Sequence, residues 1–297
     1  MVKIRFVVNP HSGIGKYRNV EHLLSIHLDK NKFDYDVVYT QSRGHATEIT
    51  KDAVEKYYDV VVAVGGDGTI REVAVGLVGT NVALGIIPIG SGNGLARHIG
   101  IPIKPSKAVH VINQMHEDFI DTIDVNNKIC VSMAGIGFDA LIAKKFDTTS
   151  QRGFFPYFRF IVATFFRYKA HTIIVETPDT FIHCKNTLLV SVANSSQWGF
   201  NVKIAPKASL QDGLLDVCVM KKPSLLLLPM RIFLLLIGKL DLDKLAMHIC
   251  KTSQCRIYEE NESWQYCHVD GDPIGRQKYV QIVLNPKSLK VITPINI

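Results

Sequence analysis

Short apolar runs alternate with segments of helical periodicity over the first 120 residues of the chain. Uninterrupted apolar runs are typical of strands that are buried on both faces of a parallel sheet. They predict strands at residues 3–8, 35–39, 59–64 and 83–87. Apolar residues spaced three or four apart predict helices at residues 17–28, 46–57, 70–77 and 106–115. This alternation predicts an α/β N-terminal domain that is built on a parallel sheet.

The pattern changes near residue 118, where short strands separated by polar turns replace the strand–helix alternation. Two helices, at about 154–168 and 224–238, interrupt these strands. Strands that follow one another without helices favour an antiparallel, β-rich C-terminal sandwich. We therefore predict two domains, residues 1–122 and residues 123–285. The predicted strands of the second domain lie at residues 129–134, 171–177, 187–194, 214–220, 253–259 and 280–284.

Three polar loops follow predicted strands of the first domain, at residues 9–13, 65–69 and 88–94. Because the carboxyl ends of parallel strands lie along one edge of a sheet, we expect these loops to meet there. Their glycines let a bulky anion approach the backbone N–H groups, and a helix start behind the loop favours negative charge. The loops therefore predict a phosphate-binding site.

Asp67 is the unusual residue of the second loop, which reads Gly-Gly-Asp-Gly-Thr. A carboxylate repels phosphate unless a divalent cation lies between them. Asp67 therefore favours a nucleotide–metal site over a simple phosphate site. The alternative is an ordinary Gly- and Asp-rich turn between a strand and a helix.

The net charge of +7 is compatible with a nucleic acid, an anionic membrane or a polyphosphate as partner. Nucleic acid is the least favoured, because the chain has no dense Lys/Arg run and no RNA-binding motif. The most apolar stretch, residues 225–238, contains Pro229 and Arg231. It is shorter than the roughly 20 residues that cross a bilayer. The chain also enters its first strand at once, so we expect no transmembrane segment, no signal peptide and a cytoplasmic location.

Six short motifs follow one another along the chain: Asn9, Pro10, Ser12 and Gly13; residues 65–69 with Glu72; Gly90, Ser91, Asn93, Ala96 and Arg97; residues 135–140; residues 212–216; and residues 269–273. Together they resemble the motifs of the diacylglycerol kinase catalytic family, which includes bacterial lipid kinases and sphingosine and ceramide kinases. Three positions depart from the usual motifs. Arg71 stands where Asn is usual, Gly94 where many bacterial members have Asp, and Asp272 where the family has Glu.

The resemblance implies an ATP- and Mg²⁺-dependent kinase that phosphorylates a lipid hydroxyl, on diacylglycerol or on a sphingoid or ceramide-type lipid. It places the nucleotide phosphates on the three loops, and Thr40, at the end of strand two, near the nucleotide. The candidate nucleotide-binding residues are Asn9, Pro10, His11, Ser12, Gly13, Thr40, Gly65, Gly66, Asp67, Gly68, Thr69, Glu72, Gly90, Ser91 and Asn93.

The same resemblance implies roles for several acidic residues. Asp67 is the main candidate for organising Mg²⁺, which prefers oxygen ligands. Asp124 matches a family position near the metal, and Asp121 is its rival in the same segment. Either Asp270 or Asp272 would act as the catalytic base for the lipid hydroxyl, and the sequence leaves that choice open. The alternative for this segment is a hairpin turn, because Asp-Gly is a strong turn signal.

A second, structural cation is also implied by the resemblance. Its ligands would be Asp212 and the carbonyl groups of Ser209 and Leu214. The alternative is an Asp-Gly turn that holds no metal. By the same family resemblance, residues 286–297 are expected to return to the first domain.

Residues 154–169 combine many aromatic side chains with Arg159, Arg167 and Lys169. Aromatic and cationic side chains on one helix suit a membrane interface, although a helix buried in the core is an equal alternative. We expect peripheral contact with the inner face of the membrane, where the lipid substrate lies. A homodimer is possible.

Two rival functions stay open. One is a NAD kinase, since those enzymes share the Gly-Gly-Asp-Gly-Thr loop. The other is a non-catalytic regulator that binds a nucleotide or a lipid, which Gly94 and Asp272 would favour.

Overall fold

The computed structural model describes residues 1–13, 19–147, 154–199, 202–223 and 246–295. Its first half is built around four parallel strands. Three of them bury nearly all of their apolar side chains, and the fourth, at residues 33–39, is partly exposed. They lie in the spatial order β2, β1, β3, β4. The strands are Val2–Val8 (β1), Phe33–Tyr39 (β2), Val60–Gly65 (β3) and Ala83–Pro88 (β4). All four lie where the apolar runs predict them.

Five described helices accompany these strands: α1 (Val20–His27), α2 (His45–Glu55), α3 (Asp67–Leu77), α4 (Gly94–His98) and α5 (Pro105–Gln114). The prediction that α3 begins at Ile70 was wrong by one turn. Gly66 is extended, and its carbonyl accepts the N–H of Ile70 at 3.0 Å, so the helix already begins at Asp67. The short helix α4 was not predicted, because it contains only five residues and follows a glycine-rich loop.

The second half is β-rich, and its strands pair antiparallel. Its described helices are α6 (Phe138–Asp147) and α7 (Phe154–Arg167). Its described strands are Glu117–Val125 (β5), Lys128–Cys130 (β6), Met133–Gly137 (β7), His171–Glu176 (β8), Phe181–Ala193 (β9), Gln197–Gly199 (β10), Val202–Lys203 (β11), Leu215–Lys221 (β12), Ala246–Thr252 (β13), Gln254–Glu259 (β14), Gln265–Val269 (β15), Asp272–Gln277 (β16) and Tyr279–Ile292 (β17).

Several bounds differ from the sequence-based expectation. The strand predicted at residues 129–134 is two strands, because the N–H groups of Val131 and Ser132 turn towards the carboxylate of Asp270. The strands predicted at 187–194 and 280–284 are parts of the longer β9 and β17. The helix predicted at residues 224–238 lies outside the described residues.

Strand β17 joins the two halves of the molecule. It pairs antiparallel with β5 along most of its length, and Val291 near its end pairs parallel with Leu84 of β4. One apolar core lies around the parallel sheet and a second lies among the antiparallel strands. The predicted fold class, an α/β domain followed by a β-rich sandwich, is confirmed. The proposed domain bounds, with the return of residues 286–297, stay predictions.

The predicted aromatic helix is present as α7. Phe165 on this helix is buried against the β-rich half, whereas Phe166 is 58% exposed. Arg159 and Arg167 are also exposed. None of the helices in the described ranges is both long and apolar enough to cross a bilayer.

Candidate active site

The loops after β3 and β4 contact each other through their glycines. A Cβ atom on Gly90 would lie closer than 3.0 Å to Gly66 Cα, and one on Gly65 would lie equally close to the side chain of Thr69. Packing alone therefore requires glycine at these positions. Gly68 differs, because a Cβ atom placed there would have no neighbouring atom within 4 Å. Glycine at position 68 leaves open space at the start of α3, as a ligand that approaches the backbone requires.

Asp67 holds the loop after β4 against the start of α3. Its Oδ1 accepts the backbone N–H of Gly94 at 2.7 Å, and its Oδ2 accepts that of Asn93 at 2.8 Å. Burial raises the pKa of the Asp67 carboxyl, and these two hydrogen bonds oppose the shift. The carboxylate of Asp270 adds to the rise in pKa.

Asn93 is strained and incompletely paired. It has a positive φ of 54°, and its side chain is buried. Its Nδ2 donates to the carbonyl of Gly90 at 2.8 Å, but its buried Oδ1 has no hydrogen-bond partner. A buried acceptor without a partner costs about 1–3 kcal/mol. A water molecule or a cation beside this oxygen would satisfy it.

Asn9 connects the loop after β1 to the same place. Its Nδ2 donates to Thr69 Oγ1 at 3.0 Å, and its Oδ1 accepts the N–H of His11 at 2.9 Å. Thr40 is buried at the end of β2, and its N–H donates to the carbonyl of Val8. The prediction that the three loops meet at one edge of the sheet is therefore confirmed. The other predicted nucleotide-binding residues in these loops are Pro10, Ser12, Gly13 and Ser91.

Glu72 is engaged by a neighbouring helix. Its Oε1 accepts the N–H of Gly44 at 2.8 Å, and its Oε2 accepts that of Ala46 at 3.2 Å. The hydroxyl of Thr47 donates to the Glu72 carbonyl at 2.7 Å. Glu72 thereby caps the start of α2 and fixes it to α3. Its contact with the nucleotide stays a prediction that this geometry does not favour.

Asp270 lies in the β-rich half, in the turn between β15 and β16, which faces α3 across a cleft that the Arg71–Asp272 contact bridges. Asp270 and Gly271 have positive φ values of 50° and 83°, and Val269 pairs with Asp272 across the turn. Positive φ at both central residues defines the two-residue hairpin turn that Asp-Gly favours. The turn alternative is thus correct for the backbone, and the Asp270 carboxylate stays available as a candidate base.

The Asp270 carboxylate is fixed by the segment between β6 and β7. Its Oδ1 accepts the N–H groups of Ser132 at 2.8 Å and Met133 at 3.1 Å, while its Oδ2 accepts that of Val131 at 2.8 Å. Oδ2 therefore keeps a lone pair for a further donor. Burial and the nearby Asp270 carboxylate raise the pKa of the Cys130 thiol well above its usual value.

Asn194 and Ser195 also bind the segment between β6 and β7. Asn194 Nδ2 donates to the carbonyl of Val131 at 3.1 Å and to that of Asp121 at 2.7 Å. The N–H groups of Asn194 and Ser195 both donate to the carbonyl of Ser132. Both side chains are fully buried. This support was not predicted from the sequence, although two polar residues directly after an apolar strand are a detectable signal.

Asp272 contacts two arginine residues. Arg71 donates through Nε at 3.1 Å and Nη2 at 2.5 Å to its Oδ2, and Arg43 donates through Nη2 at 2.9 Å to its Oδ1. Arg71 belongs to α3 and Asp272 to β16, so the ion pair joins the two halves across the cleft. Both oxygens of Asp272 are engaged by cations. Of the two predicted bases, Asp270 accepts from backbone N–H groups, whereas Asp272 is held by cations.

His268 and Asp139 support the hairpin. His268 Nε2 lies 3.0 Å from Asp139 Oδ2, and His268 Nδ1 accepts the N–H of Gly271 at 3.2 Å. Gly135 pairs with His268 in the sheet, and a Cβ atom on Gly135 would collide with both side chains. No sequence spacing indicates this contact, because His268 and Asp139 are 129 positions apart.

The two acidic candidates in β5 both stabilise turns. Asp121 is buried, and it accepts the N–H groups of Lys287 at 2.7 Å and Gly213 at 3.0 Å. Asp124 accepts the N–H of Asn127 at 2.8 Å in the turn before β6. A metal role for Asp124 stays a prediction.

Asp212 is paired with a lysine. Its Oδ2 accepts from Lys251 Nζ at 2.7 Å, and its Oδ1 accepts the N–H of Leu214 at 3.2 Å. The hydroxyl of Ser209 accepts the N–H of Gln211. The hydrogen bond with Asp212 raises the pKa of the Lys251 amine. The charged amine places a positive charge beside Asp212, as a second cation would. A structural metal held by Asp212 and the carbonyl groups of Ser209 and Leu214 stays a prediction, and the Lys251 pair favours the turn without one.

The residues around Asp67 fit Mg²⁺ better. Asp67 presents two carboxylate oxygens, each with one N–H partner, and Asn93, whose N–H binds Asp67, has an unpaired side-chain oxygen. Within the described ranges, no group of three or more His, Cys, Asp or Glu side chains is arranged to hold a metal. Mg²⁺ commonly binds through one or two carboxylates together with waters and substrate phosphates, which is the arrangement that this site permits.

Two family models match successive parts of the chain. The first, the diacylglycerol kinase catalytic domain, matches residues 3–125. The second, the YegS C-terminal NAD kinase beta sandwich-like domain, matches residues 132–293, which is more than half of the chain. The chain belongs to the diacylglycerol kinase family. The predicted family and the predicted enzyme class, a lipid kinase, are therefore confirmed.

Relatives within the diacylglycerol kinase family carry corresponding names. A probable lipid kinase YegS-like protein of Pseudomonas putida is 30% identical over 63% of this chain and 64% of its own length. A diacylglycerol kinase of Staphylococcus saprophyticus is 29% identical over 75% of this chain and 74% of its own. The crystal structure of a putative diacylglycerol kinase from Bacillus anthracis superimposes with a TM-score of 0.76 at 22% identity, and the match covers 98% of this chain and 95% of that one. This last likeness shows the fold.

Proposed function

We propose that this member of the family transfers the γ-phosphoryl group of ATP, with Mg²⁺, to the hydroxyl group of a lipid at the membrane surface. The observation that carries the proposal is the meeting of the Asp67 and Asp270 segments, because Arg71, one turn after Asp67 on α3, donates to Asp272, two residues after Asp270. One belongs to the glycine-loop half and the other to the β-rich half. Diacylglycerol is the first candidate acceptor, and a sphingoid or ceramide-type lipid is the second.

The glycine loops would bind the nucleotide. The open space at Gly68 and the N–H groups at the start of α3 suit the phosphates of ATP. Asp67 and Asn93 Oδ1 would hold Mg²⁺, which neutralises charge on the phosphates when it is bound. Because Asp67 also binds the N–H groups of Asn93 and Gly94, it fixes the loop after β4 in place for the nucleotide.

Asp270 would accept the proton of the lipid hydroxyl. In the transfer, the hydroxyl oxygen bonds to the γ-phosphorus, the bond from phosphorus to the bridging oxygen breaks, and ADP leaves. The proton moves to Asp270 Oδ2, the oxygen that has a single N–H partner. His268 and the segment 131–133 hold this carboxylate in position.

Helix α7 supports contact with a membrane surface. Its exposed Phe166 would enter the interfacial region of the bilayer, and Arg159 and Arg167 would face anionic headgroups. This arrangement agrees with peripheral binding at the inner membrane face. A homodimer stays a prediction.

A panel of acceptors tests the proposed function. Purified protein is incubated with Mg²⁺, γ-labelled ATP and one acceptor at a time. The acceptors are dispersed diacylglycerol, a sphingoid base, ceramide and NAD. We expect label in the organic phase with at least one lipid and none in NADP. Label in NADP alone would identify a NAD kinase, and tight ATP binding without label in any acceptor would identify a non-catalytic regulator.

A further inference from the structure

A pocket of about 550 Å³ lies beside the cleft, where α3 faces the turn before β6 and the start of β16. It is lined by three cations, one carboxylate and apolar side chains, among them Arg43, Arg71, Lys128, Asp272, Val75 and Ile129. Among the described residues that line it, Asp272 carries the one negative charge, so the pocket has an excess of two positive charges. Such a lining favours an anionic ligand that also has an apolar part.

The cations are arranged for oxyanion recognition. Arg71 uses two nitrogens on one oxygen of Asp272, and Arg43 binds the other oxygen. The planar donor set of a guanidinium group matches the geometry of both carboxylate and phosphate oxygens. Arg43 is 55% exposed and Lys128 is also exposed, so both side chains have room to turn towards a ligand.

The pocket adjoins the candidate active site without belonging to the glycine loops. Arg71 follows Asp67 by four residues on α3, which places it on the same helix face, one turn further along. Asp272 follows the candidate base Asp270 by two residues. By the family resemblance, Arg71 stands where Asn is usual.

We propose that this pocket binds the phosphate-ester group of an anionic phospholipid through Arg43, Arg71 and Lys128, while Val75 and Ile129 contact the apolar part of the lipid. The proposal rests on the proposed function and deepens it, because it names an anionic lipid as the molecule that docks beside the phosphoryl-transfer site. A soluble phosphate ester would be recognised by the same cations. The experiment therefore distinguishes a soluble phosphate ester from a phospholipid headgroup as the ligand.

Vesicle binding tests the proposal. The variant Arg43→Gln/Lys128→Gln removes two cations and leaves the Arg71–Asp272 pair that joins the two halves. The control Lys51→Gln/Lys185→Gln removes two exposed positive charges elsewhere. Each protein is sedimented with phosphatidylcholine vesicles in which about 30% of the lipid is phosphatidylglycerol, the anionic component. We expect the pocket variant to bind about tenfold or more weakly than wild type, and the control to stay within about twofold.

Two further arms identify the ligand. If glycerol 3-phosphate at millimolar concentration competes with the vesicles for wild type, the phosphate ester alone is recognised. If it does not compete, while the pocket variant still loses binding, the lipid headgroup is the ligand. Equal vesicle binding by wild type and pocket variant, or an equal loss in the control, would overturn the proposal. Weaker ATP binding by the pocket variant would also overturn it, because the pocket would then serve the nucleotide.

The same proteins separate this proposal from the proposed function. Phosphoryl transfer to a neutral lipid in neutral detergent micelles does not require the cationic pocket, so we expect the pocket variant to retain it within about threefold. Wild type that transfers no phosphate to any lipid would refute the proposed function. Wild type that transfers phosphate but shows no difference from the variant on anionic vesicles would refute the pocket alone.

Discussion

Asp270→Asn is expected to lower the rate of lipid phosphorylation by about 10²–10⁴-fold, the usual contribution of a general base. The asparagine keeps an oxygen for the N–H groups of Ser132 and Met133, and it loses mainly the bond from Val131. The fold should therefore survive while the proton acceptor is lost. The measurement is kcat with the lipid acceptor identified by the panel, together with urea unfolding of each protein.

Asp272→Asn is the matched control for this prediction. Its carboxylate is engaged by Arg43 and Arg71 rather than open to a substrate, so we expect kcat within about tenfold of wild type. The reverse order, with the greater loss in Asp272→Asn, would assign the base role to Asp272. It would also contradict the account of Asp270.

Gly90→Ala is expected to destabilise the protein by about 1–3 kcal/mol, the usual cost of overpacking a tight site. The new Cβ would press on Gly66 Cα and separate the loops after β3 and β4. Urea unfolding without nucleotide measures this loss. Because both loops belong to the candidate nucleotide site, ATP binding should weaken in parallel.

Gly68→Ala provides the matched comparison. Its Cβ meets no atom within 4 Å, and alanine in a helix is favoured over glycine, so stability should be unchanged or slightly higher. We expect ATP binding to fall by about tenfold or more, because the methyl group fills the space beside the N–H groups at the start of α3. Unchanged ATP affinity in Gly68→Ala would contradict the placement of the phosphates at this loop.

The sheet edge that carries the site could be predicted from the sequence for a simple reason. Buried parallel strands read as continuous apolar runs, and the loop behind each run must lie at the same edge. Asn9, Thr69 and Asp67 meet there as expected. The hairpin turn at Asp270 and Gly271 could also be predicted, because few residue pairs favour a positive φ at two successive positions.

Contacts that depend on packing between distant elements could not be predicted. Glu72 belongs to a family motif near the nucleotide, yet the packing of α2 on α3 places its carboxylate at the start of α2. Arg71 and Asp272 are 201 positions apart and meet because the two halves face each other across the cleft. Lys251 reaches Asp212 from a neighbouring strand, at the place where the family resemblance implied a cation site.

The most direct test of the central claim is transfer of labelled phosphate from ATP into a total lipid extract, with wild type and Asp67→Asn side by side. The account predicts a labelled lipid with wild type and a loss of about 100-fold or more with Asp67→Asn, because the carboxylate that would hold Mg²⁺ is gone. The mass of the labelled lipid would identify the acceptor. Equal labelling by both proteins, or no labelled lipid with wild type, would contradict the account.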